Sequence, residues 1–205
     1  MPASLTDLAN KYKSDKGTEF GERHGYSQAY EELFAPMRHA PIRLLEIGLR
    51  YDPYYVELNH ATSPSLEMWL EYFPQAEIFG LDIKDFSGLR KERLTILRGD
   101  QGSPADLRRA ASVLGPLDIV IDDGSHASFH QQLTFVHLFP CLRQNGMYIV
   151  EDLHFQPPRL ESVLPSVPKT RDMFRSPLVL SSLEVSYYCD NKLCVVRRRT
   201  DSLSQ

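Results

Sequence analysis

The chain of 205 residues is 42% hydrophobic and 24% charged, enough for one substantial core and short for two. Its formal net charge of -4 excludes a general attraction to phosphate backbones or anionic lipid, and only the short RRR run at 197–199 forms a local basic cluster. One domain over 1–205, with neither nucleic acid nor a membrane as partner, is the expectation.

The first thirty residues hold no apolar stretch of signal-peptide length, and no later window approaches the roughly twenty apolar residues that span a bilayer. A soluble cytoplasmic protein is therefore expected. Residues 1–40 read as a helical entry or lid segment, with His24 and Tyr26 as lid candidates. Apolar runs without polar alternation follow: RLLEIGL (43–49), EIFGLDI (77–83), LTILRGD (94–100), LDIVIDD (117–123) and MYIVEDL (147–153). Strands buried on both faces, as in a parallel sheet covered by helices, have this pattern.

Helical stretches lie between these runs. One opens on Ser65 as N-cap and continues to Phe73; a second has Ser103 as cap, Pro104 at the first helical position and Asp106 in the first turn. A third follows Ser125, with apolar spacing through ASFHQQLTFVHLFPCL and Asn145-Gly146 as its stop signal. Trp69 falls on an apolar helical face, and His130 and His137 read as packing residues, whereas His154 borders the acids at 151–152. The Pro-rich piece at 157–177 reads as an irregular surface loop. LSSLEVSYYCD (180–190) and KLCVVRRR (192–199) flank an Asp190-Asn191 turn and predict an antiparallel hairpin. Cys141, Cys189 and Cys194 are odd in number and lack C-x-x-C spacing, so they read as free thiols.

Alternating strands and helices make this an α/β chain: a doubly wound seven-stranded sheet of five parallel strands and a C-terminal antiparallel hairpin, with helices on both faces. Residues 41–155 form its cofactor-binding core and 156–205 its substrate-side loop and hairpin.

Ligands bind such sheets beyond the carboxyl ends of the strands. Each parallel strand ends in an acid: Glu46 with Gly48, Asp82, Asp100 with Gln101, Asp122-Asp123, and Glu151-Asp152. A carboxylate at the end of the second strand can take both hydroxyls of a ribose, which suits Asp82. Asp100 and Gln101 offer an acceptor and an amide to an adenine edge, while Glu46 and Gly48 mark a turn close beneath the cofactor. The pattern describes a nucleoside-bearing cofactor without saying which. Asp123, Glu151 and Asp152 would repel one another unless basic side chains or a metal ion neutralise them, and all-oxygen ligation suits Mg²⁺ or a similar hard cation. His126, three residues after Asp123 and past a Gly-Ser turn, can reach a hydroxyl held there. Asp122 either borders the cofactor or braces the turn.

EIG at 46–48, Asp82, GDQ at 99–101, IDDGSH at 121–126 and ED at 151–152 resemble class I S-adenosylmethionine-dependent methyltransferases with a Rossmann-like fold. More narrowly, they are similar to the metal-dependent sugar O-methyltransferases of antibiotic biosynthesis, the mycinamicin and macrocin type. The segment SDKGTEFGERHGYSQAY also resembles that family's entry segment, and the likeness runs from about residue 8 to 155. The resemblance implies that Asp123, Glu151 and Asp152 hold Mg²⁺, that His126 is the general base, and that Thr18, Asp82, Asp100 and Gln101 help bind S-adenosylmethionine. It implies a small hydroxylated natural product, such as a glycoside, as acceptor, and leaves homo-oligomerisation open. The sequence departs from the family at the loop after Gly48, which has no glycine before Gly80 and carries Arg50, Tyr51, Tyr54 and Tyr55. Family members can also carry an additional N-terminal domain, which is not expected in so short a chain. The glycine-free loop motivates one alternative, a methyltransferase-like binding module without transfer activity; a second is a cofactor-assisted enzyme of non-methyl chemistry on the same fold.

Overall fold

The apolar runs become strands because residues without polar alternation fit a surface covered on both sides. They form β1 (Arg43–Ile47), β2 (Glu77–Asp82), β3 (Leu94–Arg98), β4 (Leu117–Asp122) and β5 (Leu142–Val150), followed by β6 (Leu183–Tyr188) and β7 (Leu193–Arg198). This computed structural model describes residues 2–49 and 62–199. The seven-stranded sheet has the order β3-β2-β1-β4-β5-β7-β6. β2 is parallel to β1 and β3, β5 is parallel to β4, and β7 is antiparallel to β5 and β6, as predicted. The chain divides into two compact units, Met1–Asp100 and Gln101–Gln205.

In the first unit, α1 (Leu5–Lys11) starts from a capping box in which the Ser4 hydroxyl accepts from Asp7 N–H and the Asp7 carboxylate accepts from Ser4 N–H. It packs against α2 (Tyr26–Phe34) and α3 (Pro64–Tyr72). Tyr30, Phe34, Trp69 and Phe73 are fully buried, and Phe34 stands 5.8 Å from Trp69 and 5.6 Å from Phe73 between ring centroids. Burial of each such ring contributes about 1.5–3 kcal/mol. The cap of α3 is Ser63, with Pro64 opening the helix, and not Ser65. Proline lacks the N–H that a first helical residue leaves unused, so the helix starts two residues earlier than the serine pattern suggests. β3 is only half-buried, as expected of an edge strand and not of one covered on both faces.

In the second unit, α4 (Pro104–Leu114) begins as predicted, with Ser103 Oγ accepting from Asp106 N–H at 3.3 Å. α5 (Ser128–Leu138) packs on β4 and β5 and carries Phe135 to within 5.1 Å of the Tyr148 ring and 5.0 Å of Phe174. Asn145-Gly146 does not stop this helix. It lies inside β5, where the register shifts so that Leu117 faces Leu142 but Ile119 faces Met147. A Cβ on Gly146 would stand 3.0 Å from the Asp118 carbonyl oxygen, so the glycine serves a bulge. The helix ends before the 3-10 turn Phe139–Cys141, where Pro140 has no N–H to continue it.

The Pro-rich stretch is also more ordered than predicted. It forms α6 (Pro158–Glu161), α7 (Thr170–Phe174) and the start of α8 (Pro177–Ser182), with prolines opening α6 and α8. β6 consequently begins only at Leu183. The hairpin turn holds Cys189, Asp190 and Asn191 at φ 50°, 55° and 64°. The three cysteines are free thiols. Among the described residues, no helix is long and apolar enough to cross a membrane.

Candidate active site

In the second unit, β4 and β5 end beside each other, because Asp122 pairs in register with Val150. The next residues of each strand are the acids Asp123 and Glu151-Asp152. Asp123, His126 and Asp152 each offer a ligand atom, and these atoms lie within 4.8 Å of one another. His126 Nε2 stands 3.7 Å from Asp152 Oδ2, and His154 Nδ1 stands 3.9 Å from Asp152 Oδ1. Both His126 (φ 59°) and Asp152 (φ 54°) adopt left-handed backbone conformations. Such conformations cost on the order of 1–3 kcal/mol and persist where the surroundings impose them, often at functional sites.

Glu151 is 1% exposed, and its backbone N–H donates to the Asp122 carbonyl at 3.0 Å. Among the described residues, the three-residue cluster brings together two of the predicted ligands and the predicted base; Glu151 is buried next to Asp152 in the chain and is not one of the three. Phe155 flanks the cluster, its ring edge-on to His126 at 6.0 Å between centroids and its surface 48% exposed. The segment beyond is tied to the start of α5: Ser128 N–H donates to Glu161 Oε1 at 2.6 Å, and the Ser128 hydroxyl donates to Gln156.

Asp122 braces the turn. It is fully buried, with Oδ1 accepting from Gln101 Nε2 at 2.6 Å and Oδ2 from Tyr148 OH at 3.1 Å. Burial pushes its carboxyl up to about 7, against the opposing pull of the Tyr148, Gln101 and Gly124 N–H hydrogen bonds. The other end of the Gln101 amide accepts from Ser125 N–H at 3.0 Å. Ser125 Oγ lies 2.8 Å from His130 Nδ1, so His130 holds the turn in addition to packing on α5.

In the first unit, Gly48 adopts φ 82° immediately after β1, a conformation that favours glycine. This turn aims Leu49 N–H at Asp82 Oδ2 (2.8 Å), while Asp82 Oδ1 accepts from Lys84 N–H at 2.8 Å. A carboxylate accepts about four hydrogen bonds, so these two leave room for a pair of ribose hydroxyls. Asp100 is half-buried after β3. Glu46 points into the unit: fully buried, it pairs with Lys16 Nζ at 3.4 Å and accepts from Ser65 Oγ at 2.7 Å and Trp69 Nε1 at 3.2 Å. Burial drives its carboxyl upward, and the Lys16 ammonium is the largest opposing pull. Thr18 is exposed and bonded to Asn10 through its N–H and hydroxyl. His24 stacks on Tyr26 at 4.8 Å, and Tyr26 is wholly buried.

Lys16 and Tyr148 are the residues that the sequence reading missed. The DKG segment is visible as a motif, but nothing in it names Glu46 as the lysine's partner. Arg50, Tyr51, Tyr54 and Tyr55, the residues of the glycine-free loop, lie outside the described residues.

No family model matches the chain. Over 152 residues, 74% of its length, the chain is 44% identical to 8-demethyl-8-(2-methoxy-alpha-L-rhamnosyl)-tetracenomycin-C 3'-O-methyltransferase of Streptomyces olivaceus. It is 38% identical over 151 residues, 73% of its length, to Mycinamicin VI 2''-O-methyltransferase of Micromonospora griseorubida. Over about three quarters of its length the chain is thus similar to sugar O-methyltransferases of natural-product biosynthesis. It spans only 37% and 36% of the length of these two relatives. A solved structure of the MycE methyltransferase of the mycinamycin biosynthetic pathway, in complex with Mg, SAH and mycinamycin VI, superposes with a TM-score of 0.77 at 30% identity, covering 99% of this chain and 57% of that one. A caffeoyl-CoA O-methyltransferase-like structure from Staphylococcus aureus, with a TM-score of 0.60 at 10% identity over 96% of this chain and 93% of that one, shares the fold.

Proposed function

We propose that this protein uses S-adenosylmethionine and a divalent cation to methylate a sugar hydroxyl of a small natural product. The observation that carries the proposal is the convergence of Asp123, His126 and Asp152 within 4.8 Å, on strand ends whose relatives are named for this chemistry. The donor set fits a hard cation: Asp123 and Asp152 present carboxylate oxygens at one point, with Glu151 adjoining. When bound, Mg²⁺ supplies positive charge that makes an alcohol easier to deprotonate, and S-adenosylmethionine supplies the methyl group.

The chain's own residues do the rest. Asp123, Glu151 and Asp152 would hold the cation, whose charge would ease deprotonation at the acceptor oxygen. His126 takes the hydroxyl proton as that oxygen gains the methyl group, and Asp152, 3.7 Å from Nε2, stabilises the imidazolium that results. Asp82 would accept the ribose hydroxyls, Asp100 would face the adenine end, and Gly48 would let the backbone pass close to the cofactor, whereas both ends of the Gln101 amide are engaged by Asp122 and Ser125. Thr18 closes the entry segment, and Glu46 anchors that segment through Lys16.

Transfer of labelled methyl from S-adenosylmethionine to a panel of O-rhamnosides tests the proposal. Expected are incorporation with Mg²⁺, its loss in EDTA, and a fall of about 10²–10⁴-fold in His126→Ala with retained binding of S-adenosylhomocysteine. Turnover unaffected by His126→Ala would remove that residue from the base role, and incorporation in EDTA would remove the cation.

A further inference from the structure

Gln101 is 8% exposed, and both ends of its amide are engaged within one turn. Nε2 donates to Asp122 Oδ1 at 2.6 Å, and Oε1 accepts from Ser125 N–H at 3.0 Å. These two partners bracket Asp123 and Gly124. The amide therefore staples the stretch that presents Asp123 on one side and leads to His126 on the other. Gly124 makes room for it: a Cβ there would lie 2.3 Å from Gln101 Oε1. Gly124 is not among the glycines of positive φ, so a side chain there would be opposed by the close approach of Gln101, whose amide it would have to displace, and not by backbone conformation. The staple is rooted at both ends, because Tyr148 OH holds the second oxygen of Asp122 at 3.1 Å and His130 Nδ1 holds Ser125 Oγ at 2.8 Å.

We infer that Gln101 is a positioning residue for the cation and base turn, setting how Asp123 and His126 are presented, in addition to or in place of any contact with the nucleoside. The inference rests on the proposed cation-assisted reaction. Groups that orient ligand-bearing segments typically change metal affinity by about 10–100-fold when removed. An asparagine at 101 is one methylene too short to reach both partners. A glutamate keeps the acceptor for Ser125 but sets a second carboxylate against Asp122.

The test uses Mn²⁺ as a hard-cation probe, with free Mn²⁺ followed by electron paramagnetic resonance, and S-adenosylhomocysteine titrated calorimetrically in EDTA. Gln101→Ala and Gly124→Ala, which displaces an unaltered Gln101, should each weaken Mn²⁺ binding by about 10–100-fold. Affinity for S-adenosylhomocysteine should stay within about threefold of wild type, and the double variant should lose little more than either single one, as expected for two changes to one interaction. If Gln101→Ala does not fold, Gly124→Ala and Gln101→Asn carry the same expectation. Unchanged Mn²⁺ affinity, or additive losses, would overturn the inference. So would a loss of S-adenosylhomocysteine affinity alone, which assigns the amide to the nucleoside, or a parallel loss of both affinities, which marks a general structural defect. Absence of Mn²⁺ binding by the wild type would instead sink the cation-assisted reaction itself, and the inference with it.

Discussion

Lys16 and Glu46 form an ion pair with side chains 1% and 0% exposed, at 3.4 Å. Ser65 and Trp69 supply the hydrogen bonds that such a pair needs in order to offset its desolvation. Removing one partner strands the other charge, so Lys16→Met should lower unfolding stability by about 3–5 kcal/mol in urea titrations. Lys16→Met combined with Glu46→Gln keeps acceptors for Ser65 and Trp69 and should regain a large part of that loss. Equal losses in the single and double variants would contradict the pairing. At this scale the sequence shows residue types but not partners. The acids at 123, 151 and 152 and His126 stand out because their chemistry is conspicuous at strand ends. Lys16, Gln101 and Tyr148 are set by contacts between segments 21 or more residues apart, such as Gln101 with Asp122, and no local pattern carries those.

At the scale of elements, β7 pairs with β5 and β6, which buries Cys194 opposite Val150 and Tyr187. Burial pushes its thiol up to about 12, with smaller opposing pulls from Tyr187 and Arg175. A raised pKa means less thiolate at any lower pH; at pH 8 the reactive form is on the order of one in ten thousand. Ellman titration at pH 8 should therefore find Cys194 silent in the native protein and released only in denaturant, whereas Cys141 and Cys189, both half-buried, react first. Rapid native reaction of all three thiols would contradict the placement of β7. The strands were legible because burial on both faces leaves nearly continuous apolar runs, as in LDIVID at 117–122. The Asn145-Gly146 signal was misleading because the same pair serves a helix stop and a β-bulge, and only the partner strand decides between them. The helices α6 and α7, of four and five residues, are too short to show a periodicity.

At the scale of the whole molecule, the chain carries acids at or just beyond the ends of its parallel strands while spanning 37% of the length of its tetracenomycin-C methyltransferase relative. The fold was legible because it follows from the order of strands, and the proposed reaction rests on the residues that end them. The acceptor was not, because the residues that would shape its pocket have no comparable pattern. Binding of the cofactor is what the proposed function requires first, with the Gly48 turn and Asp82 as its proposed seat. Calorimetric titration of this chain with S-adenosylmethionine and S-adenosylhomocysteine, each with and without Mg²⁺, is the most direct test. Saturable one-to-one binding of both nucleosides is the predicted result; no binding of either one, with or without the cation, would contradict the methyltransferase assignment.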